Sequence, residues 1–362
     1  MSQKLSVGLS LLAGVALLSG CAAKQPAAPV YNSDLTPEEQ AAAFIGVSNA
    51  KHARKIDRLA VTSCNVMFAA TSSASASTRA GMFDNSNRVE AAVSMVYTLK
   101  GMEDASLQKL ADQICADAEK QLAAAGYQLV PRSELLANES FKKLQEAGRS
   151  SPYEYKVGVS EYKVFARSGE SVFDERYIGT ASGLGQAFKA AAGGAAWQLE
   201  GVTLESLKAS GANLNLMVDF ASLSSSGHGG ALAGSDSAEV SGSVQLSVSG
   251  ELALKSAEKL GCWNRFGKRE CRIKPNHIAR YINTTPLVIN KPFYSEVRDA
   301  TSTGDKVASG VTTALSLLGG GTSRSITRYE VDAIPAQYQA ASSEGGAVFV
   351  KMASSVARSP VK

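Results

Sequence analysis

Along residues 240–254 apolar and polar positions alternate without a break. Val240, Gly242, Val244, Leu246, Val248, Gly250, Leu252 and Leu254 are separated by Ser241, Ser243, Gln245, Ser247, Ser249, Glu251 and Ala253. A period of two puts each set on its own face of a strand, so the segment predicts a long strand with one oily and one small polar face. Residues 213–223 repeat the pattern in shorter form, with Leu214, Leu216, Val218 and Phe220 between Asn213, Asn215 and Asp219. The Gly/Ser-rich stretch 224–237 joins the two, so 213–254 predicts a hairpin. A second pair of strands is expected at 59–70, with Cys64, Val66 and Phe68 on one face, and at 89–100, separated by a loop at 71–87.

The period changes to that of a helix elsewhere. Leu107, Leu110, Ile114, Ala118 and Leu122 fall on one face of a helix expected over 104–125, closed by Gly126. Thr36-Pro37-Glu38-Glu39 carries an N-terminal capping box and a proline at the first helical position, which starts a helix through Ile45 and as far as Arg58. A strand at 127–130, a short helix at 141–147 stopped by Gly148, and a hairpin of 155–166 with 171–178 turned at Ser168-Gly169 follow. Residues 180–210 are glycine- and alanine-rich and predict at most a weak helix. The last third reads as strands at 285–289, 327–334 and 347–352, with a helix at 306–318. Together these predict an α+β fold, a mixed or antiparallel sheet packed with amphipathic helices, with no internal repeat and no clear domain boundary.

The first residues carry a different signal. Met1 to Lys4 is a short basic start, residues 5–18 are apolar, and Leu18-Ser19-Gly20-Cys21 follows. This is the secretory pattern, and the apolar run is short of the ~20 residues a spanning helix needs. The same four residues match the lipobox of bacterial lipoproteins. The expected organisation is therefore a signal peptide at 1–20, lipidation at Cys21 with a tether at 21–35, and a periplasmic α+β domain at 36–362 containing the candidate hairpin 213–254. Several acyl chains on Cys21 would hold the protein stably on a membrane. Ala22 follows, with no aspartate to suggest retention in the inner membrane, so the outer membrane is the expected location. Lys4 is the one charge within 1–20, so the mature chain lies one unit below the full chain's +4. This near balance, without a basic tract, gives no support to nucleic-acid binding.

Of five cysteines, four remain beside Cys21. In an oxidising compartment they are expected to form disulfides: Cys262 with Cys271 across a turn at Gly267, and by default Cys64 with Cys115. A metal site would want closer spacing and histidine partners. The three histidines, His52, His228 and His277, stand apart in the sequence. Ser106-Leu107-Gln108-Lys109 fits a serine-acylase S-x-x-K form, but no companion K-T-G motif occurs. No G-x-S-x-G elbow and no P-loop follow in the mature chain. The reading is a non-enzymatic protein without cofactor or metal.

A strand crossing an outer membrane needs ~9–11 residues, apolar outward and polar inward, and 240–254 meets that length. A soluble sheet with its oily face on a core gives the same alternation. The lipobox and tether, an early helix, the helix face Leu107, Leu110, Ile114 and Leu122, and Val130, Arg132 and Leu135 after a glycine-ended helix together resemble the curli secretion-channel lipoproteins. That resemblance implies a ring of periplasmic α/β domains. Each protomer would lend β-hairpins to one shared outer-membrane barrel through which unfolded subunits leave. It implies a homo-oligomer and a passive pore, here lined by Ser241, Ser243, Gln245, Ser247 and Ser249. The alternative is a lipid-anchored accessory lipoprotein of an envelope machine, without a pore.

Overall fold

A computed structural model of the protein describes residues 29–77, 91–157, 160–173, 195–228, 237–265, 267–303, 305 and 323–359. The signal, Cys21 and the helix expected at 306–318 lie outside them. Among the described residues the fold is α+β, with six helices and a large mixed sheet.

Helix α1, Pro37–Phe44, starts as the sequence predicts: Thr36 accepts from the Glu39 N–H and the Glu39 side chain reaches back to Thr36. It does not run on toward Arg58. Strand β1, Ile45–Ser48, takes over and pairs with β11, Ile278–Asn283. The short helical propensity of the segment yields to that pairing.

Strand β2, Arg58–Ser77, is longer than expected, because the Ser/Ala-rich residues 71–77 pair antiparallel with β3, Ala91–Lys100. Cross-strand partners, not intrinsic propensity, decide this. Helix α2, Asp104–Ala124, buries Leu107, Leu110, Ile114, Ala118 and Leu122 as its spacing predicts. Gly126 closes it with φ +91°. Strand β4, Gln128–Leu129, helices α3, Arg132–Ala137, and α4, Glu139–Ala147, follow. The next hairpin differs from expectation: β5, Tyr153–Val157, pairs with β6, Ser160–Phe165. Ser168-Gly169 forms a later turn instead, Gly169 at φ +79°, which returns Val172 to Arg149.

Helix α5 is Ala196–Leu207. Strands β7, Ser210–His228, and β8, Ser237–Lys255, form the predicted hairpin and carry it further into the Ser/Gly-rich segment than the sequence suggested. Then come the small hairpin β9, Leu260–Arg265, with β10, Lys268–Ile273, then β11, β12, Leu287–Ile289, β13, Tyr294–Asp299, and β14, Ser323–Ala333. The chain finishes in α6, Pro335–Arg358. The strand expected at 347–352 is part of this helix. Gly345 explains the error: a Cβ there would stand 2.4 Å from Val248 Cγ2, so only glycine lets the helix lie this close to the sheet.

The sheet runs β1-β11-β8-β7-β2-β3-β14-β13. β2 and β7 are parallel, as are β3 and β14. Along β8 the even positions Val248, Leu252 and Leu254 face α2 and α6, where Phe349 and Ile114 meet Leu216 and Gly250. The other face is covered by α3, α4 and α5, with Phe141, Leu144, Phe173 and Leu204 in a second core. The disulfide Cys64–Cys115 ties β2 to α2, and Cys262–Cys271 closes the small hairpin.

Candidate functional site

The long β7–β8 hairpin and the neighbouring strands β2, β3 and β14 set the shape of the site. β12 accompanies β8 only as far as Leu246, and β2 accompanies β7 only as far as Val218. Past these points residues 220–228 and 237–245 continue as a two-stranded ladder among the described residues, whereas β2 from Thr71 pairs with β3, which runs parallel to β14 along its whole length. Nine residues of strand cover ~30 Å. The predicted hairpin 213–254 is thus two things. Its proximal half is core, with Leu214, Leu216, Val218, Leu246 and Val248 buried. Its distal half runs past the ends of β2 and β12, with Phe220, Ala221 and Val240 still buried.

The distal half stacks on β3 through its apolar face. A Cβ placed on Gly242 would lie 2.6 Å from Leu223 Cδ2, 3.0 Å from Tyr97 Cε2 and 3.1 Å from Met95 Sδ. The β7–β8 hairpin approaches β3 there with no room for a side chain. Tyr97 is buried beneath the contact and stacks on Tyr329 of β14, ring centroids 4.9 Å apart. The outward faces are small and polar. Ser75, Ser222, Ser224, Ser241 and Ser243 are exposed, and the hydroxyls of Ser224 and Ser241 lie 2.7 Å apart. Of the five residues expected to line a pore, Ser241 and Ser243 are therefore exposed, and Gln245 and Ser249 are half-buried. Ser247 is buried, because its position falls within the helix-covered half.

Asp219 marks the junction. The β7–β8 register slips immediately after it, between Asp219 and Ala221, and the extra residue turns β7 away from β2. Tyr162 of β6 donates to its carboxylate at 3.1 Å. Burial pushes the Asp219 carboxyl up to about 6, against the opposing pull of the Tyr162 hydrogen bond. Burial, followed by the charge of Asp219, holds the Tyr338 phenol of α6 above its usual range. Tyr338 in turn belongs to an aromatic cluster with Phe68 and Phe293.

Beneath the junction the polar positions of the sheet meet α5. Glu200, 2% exposed, accepts from Thr62 Oγ1 at 2.6 Å and Asn213 Nδ2 at 3.0 Å, and pairs with Lys255. Asn65 donates to Asn215 at 2.9 Å and to the Phe173 carbonyl at 3.1 Å. Glu251, likewise buried, pairs with Arg280. A pocket lined by Trp197, Glu200, Gly201, Lys255, Ile273 and Ile278 adjoins this network, with room for at least one water molecule. Glu200 fixes α5 on β2, β7 and β8, and Glu251 ties β8 to β11.

The remaining candidates have structural settings. Arg132 donates to the Val61 carbonyl at 3.2 Å, pairs with Glu170 and lies 5.2 Å over the Phe141 ring. Burial brings its guanidinium down to about 10, still charged at neutral pH. Val130 and Leu135 are buried in the second core. His52 and His277, distant in sequence, meet with ring centroids 4.8 Å apart, a contact no sequence pattern announces. Burial first, and then the charge of His277, pull His52 below its usual value. Ser106 is half-buried and Lys109 exposed on α2. Glu205 lies near the sulfurs of Cys262 and Cys271, but those sulfurs are joined to each other and offer no thiolate to a metal. Among the described residues no helix is long and apolar enough to cross a membrane, which says nothing of strands.

Comparison with protein-family models, curated proteins and solved structures finds no match. The candidate site therefore rests on its own geometry. The expected strands at 59–70 and 89–100 are present, but β2 runs on into 71–77, where a loop is expected because Ser72, Ala74 and Ala76 are too small to register as an apolar face. Their alternation with Thr71, Ser73 and Ser75 was the available signal.

Proposed function

We propose that this protein is an outer-membrane lipoprotein that assembles as a ring and lends the distal part of its β7–β8 hairpin to a shared barrel, a passive pore for secretion or surface assembly. The observation that carries the reading is the two-faced β7–β8 ladder extending past the ends of β2 and β12. It has an apolar side and a serine-rich side, and residues 220–228 and 237–245 reach the ~9-residue length a membrane strand needs. The entry of the chain supports the same orientation. Tyr31, ten positions after Cys21, packs on Phe44 and lies in the field of Lys291 and Glu344. Lys291 follows β12, where the distal half begins. A ten-residue tether spans at most ~35 Å, so an acylated Cys21 would hold the hairpin end toward the membrane.

In the pore, Ser241 and Ser243 would face water, and Val240 and Val244 would face lipid. The resemblance to the curli secretion channels agrees with this arrangement. One observation favours the alternative, an accessory lipoprotein inserting only its acyl chains: the apolar faces cover each other at Gly242 and Tyr97. Membrane insertion requires that they part. Reconstitution of the purified lipoprotein into planar bilayers tests the choice. A pore gives stable conductance steps whose size falls when Ser243→Arg narrows the lumen. An accessory protein gives none.

A further inference from the structure

The C-terminal ends of α2 and α6 meet around a set of hydrogen-bond donors that the described residues leave unused. The turn after α2 is closed by Gly126 at φ +91° and by the Tyr127 N–H, which donates to the Leu122 carbonyl at 3.2 Å. This turn sets the Tyr127 ring against the last residue of α6: the Arg358 guanidinium carbon lies 3.8 Å from the ring centroid. A guanidinium stacked in this way gives one face to the ring and keeps its N–H edges for other partners. Among the described residues none takes them. Arg358 Nε and Nη2 are buried without a hydrogen-bond partner, and no carboxylate among those residues pairs with the guanidinium. The hydroxyls of Tyr127 and of Tyr281, on β11, are buried and unpartnered as well. Tyr127 is 3% exposed and Tyr281 is wholly buried. Tyr127 lies in the field of Arg358, and Tyr281 in that of Tyr127, so the three side chains are neighbours. Buried polar groups ordinarily have partners. Here four of them in one neighbourhood lack one, and all four can donate. The neighbourhood reaches the surface at Gly126, which is exposed; a Cβ on it would lie 3.9 Å from Nη2.

We infer that Arg358, Tyr127 and Tyr281 bind a small oxyanion through its carboxylate or phosphate group. Nε and Nη2 lie on one edge of the guanidinium, and their parallel N–H bonds match two oxygens of such a group. The phenols add O–H donors for its remaining lone pairs. A cation is repelled here, and a neutral ligand leaves the guanidinium charge unmet. The fork sits beneath a turn and against a ring, which admits a small group rather than a folded partner. This inference stands independently of the pore, since it needs neither the β7–β8 hairpin nor an assembly.

Isothermal titration of the mature lipoprotein in mild detergent reads the site. The probes are inorganic phosphate and acetate, with chloride at equal ionic strength as the reference. Saturable binding of at least one of the two oxyanions is expected. Arg358→Lys keeps the charge and loses the fork, and should weaken that binding about tenfold. Tyr281→Phe removes one hydroxyl and keeps the ring. It should weaken binding while leaving the melting temperature of the anion-free protein no lower, which a hydroxyl with a purely structural role would not allow. Absence of saturable binding by both oxyanions overturns the proposal and leaves these donors to water. Binding that either variant leaves unchanged, or that chloride matches, overturns it too, since it would mean unspecific attraction of anions.

Discussion

Gly242 lies directly against Tyr97: a Cβ on the glycine would come within 3.0 Å of Tyr97 Cε2. This is a tight seam between the β7–β8 hairpin and β3, and it keeps the facing apolar surfaces out of water. Substituting leucine at Gly242 should wedge the hairpin away from β3. Overpacking of a tight contact costs ~1–3 kcal/mol, so the urea midpoint of the lipid-free chain should fall and binding of a hydrophobic dye should rise. An unchanged midpoint would show that the faces are already apart in solution.

The buried pair of Glu200 and Lys255 predicts an asymmetric result. Lys255→Met leaves the Glu200 carboxylate buried with only Thr62 and Asn213 for partners. Removing one member of a buried ion pair costs ~3–5 kcal/mol. The double variant Glu200→Gln/Lys255→Met should lose less than Lys255→Met alone, as read from denaturant titrations of both.

Asp219 should make stability fall as pH rises. Its carboxyl sits at about 6 in the folded chain because of burial, above the ~3.9 of an unfolded aspartate. Between these values the folded state holds more protons than the unfolded state. Stability is therefore lost from about pH 4 to pH 6 and level above that range. Asp219→Asn should flatten this slope and raise stability at neutral pH. A slope that survives the substitution assigns the effect to other groups.

The two disulfides should differ in weight. Cys64–Cys115 closes a separation of 51 residues and Cys262–Cys271 one of 9. On loop entropy alone these are worth roughly 4 and 2.5 kcal/mol. Paired alanine variants, compared by thermal melting, should place the larger loss at Cys64 and Cys115.

Much of this architecture is legible in the residues. The alternation at 240–254, the apolar face of α2, the Thr36 capping box and both cysteine pairings all carry into the structure. Each rests on a strong local signal: a strict period, a cap, or a parity count. The misses share another cause. Residues 71–77 and 224–228 are strands only because a neighbouring strand pairs with them. Residues 347–352 are helical because Gly345 lets α6 lie on Val248. The partition of the 213–254 hairpin into a core half and a distal half depends on where β2 and β12 stop, which no residue in the hairpin records. Asp219 and Tyr162, 57 positions apart, meet only through the sheet.

The most direct test of the pore uses Cys21→Ser, exported through an ordinary cleavable signal so that no lipid is attached. Its distribution between periplasm and outer membrane, and its mass in solution, are then measured. The account predicts that the unlipidated chain still reaches the outer membrane in part, as a large ring that leaves it only in detergent. Recovery of the whole population as a water-soluble monomer or dimer would contradict it, and would leave a protein held to the membrane by its acyl chains alone.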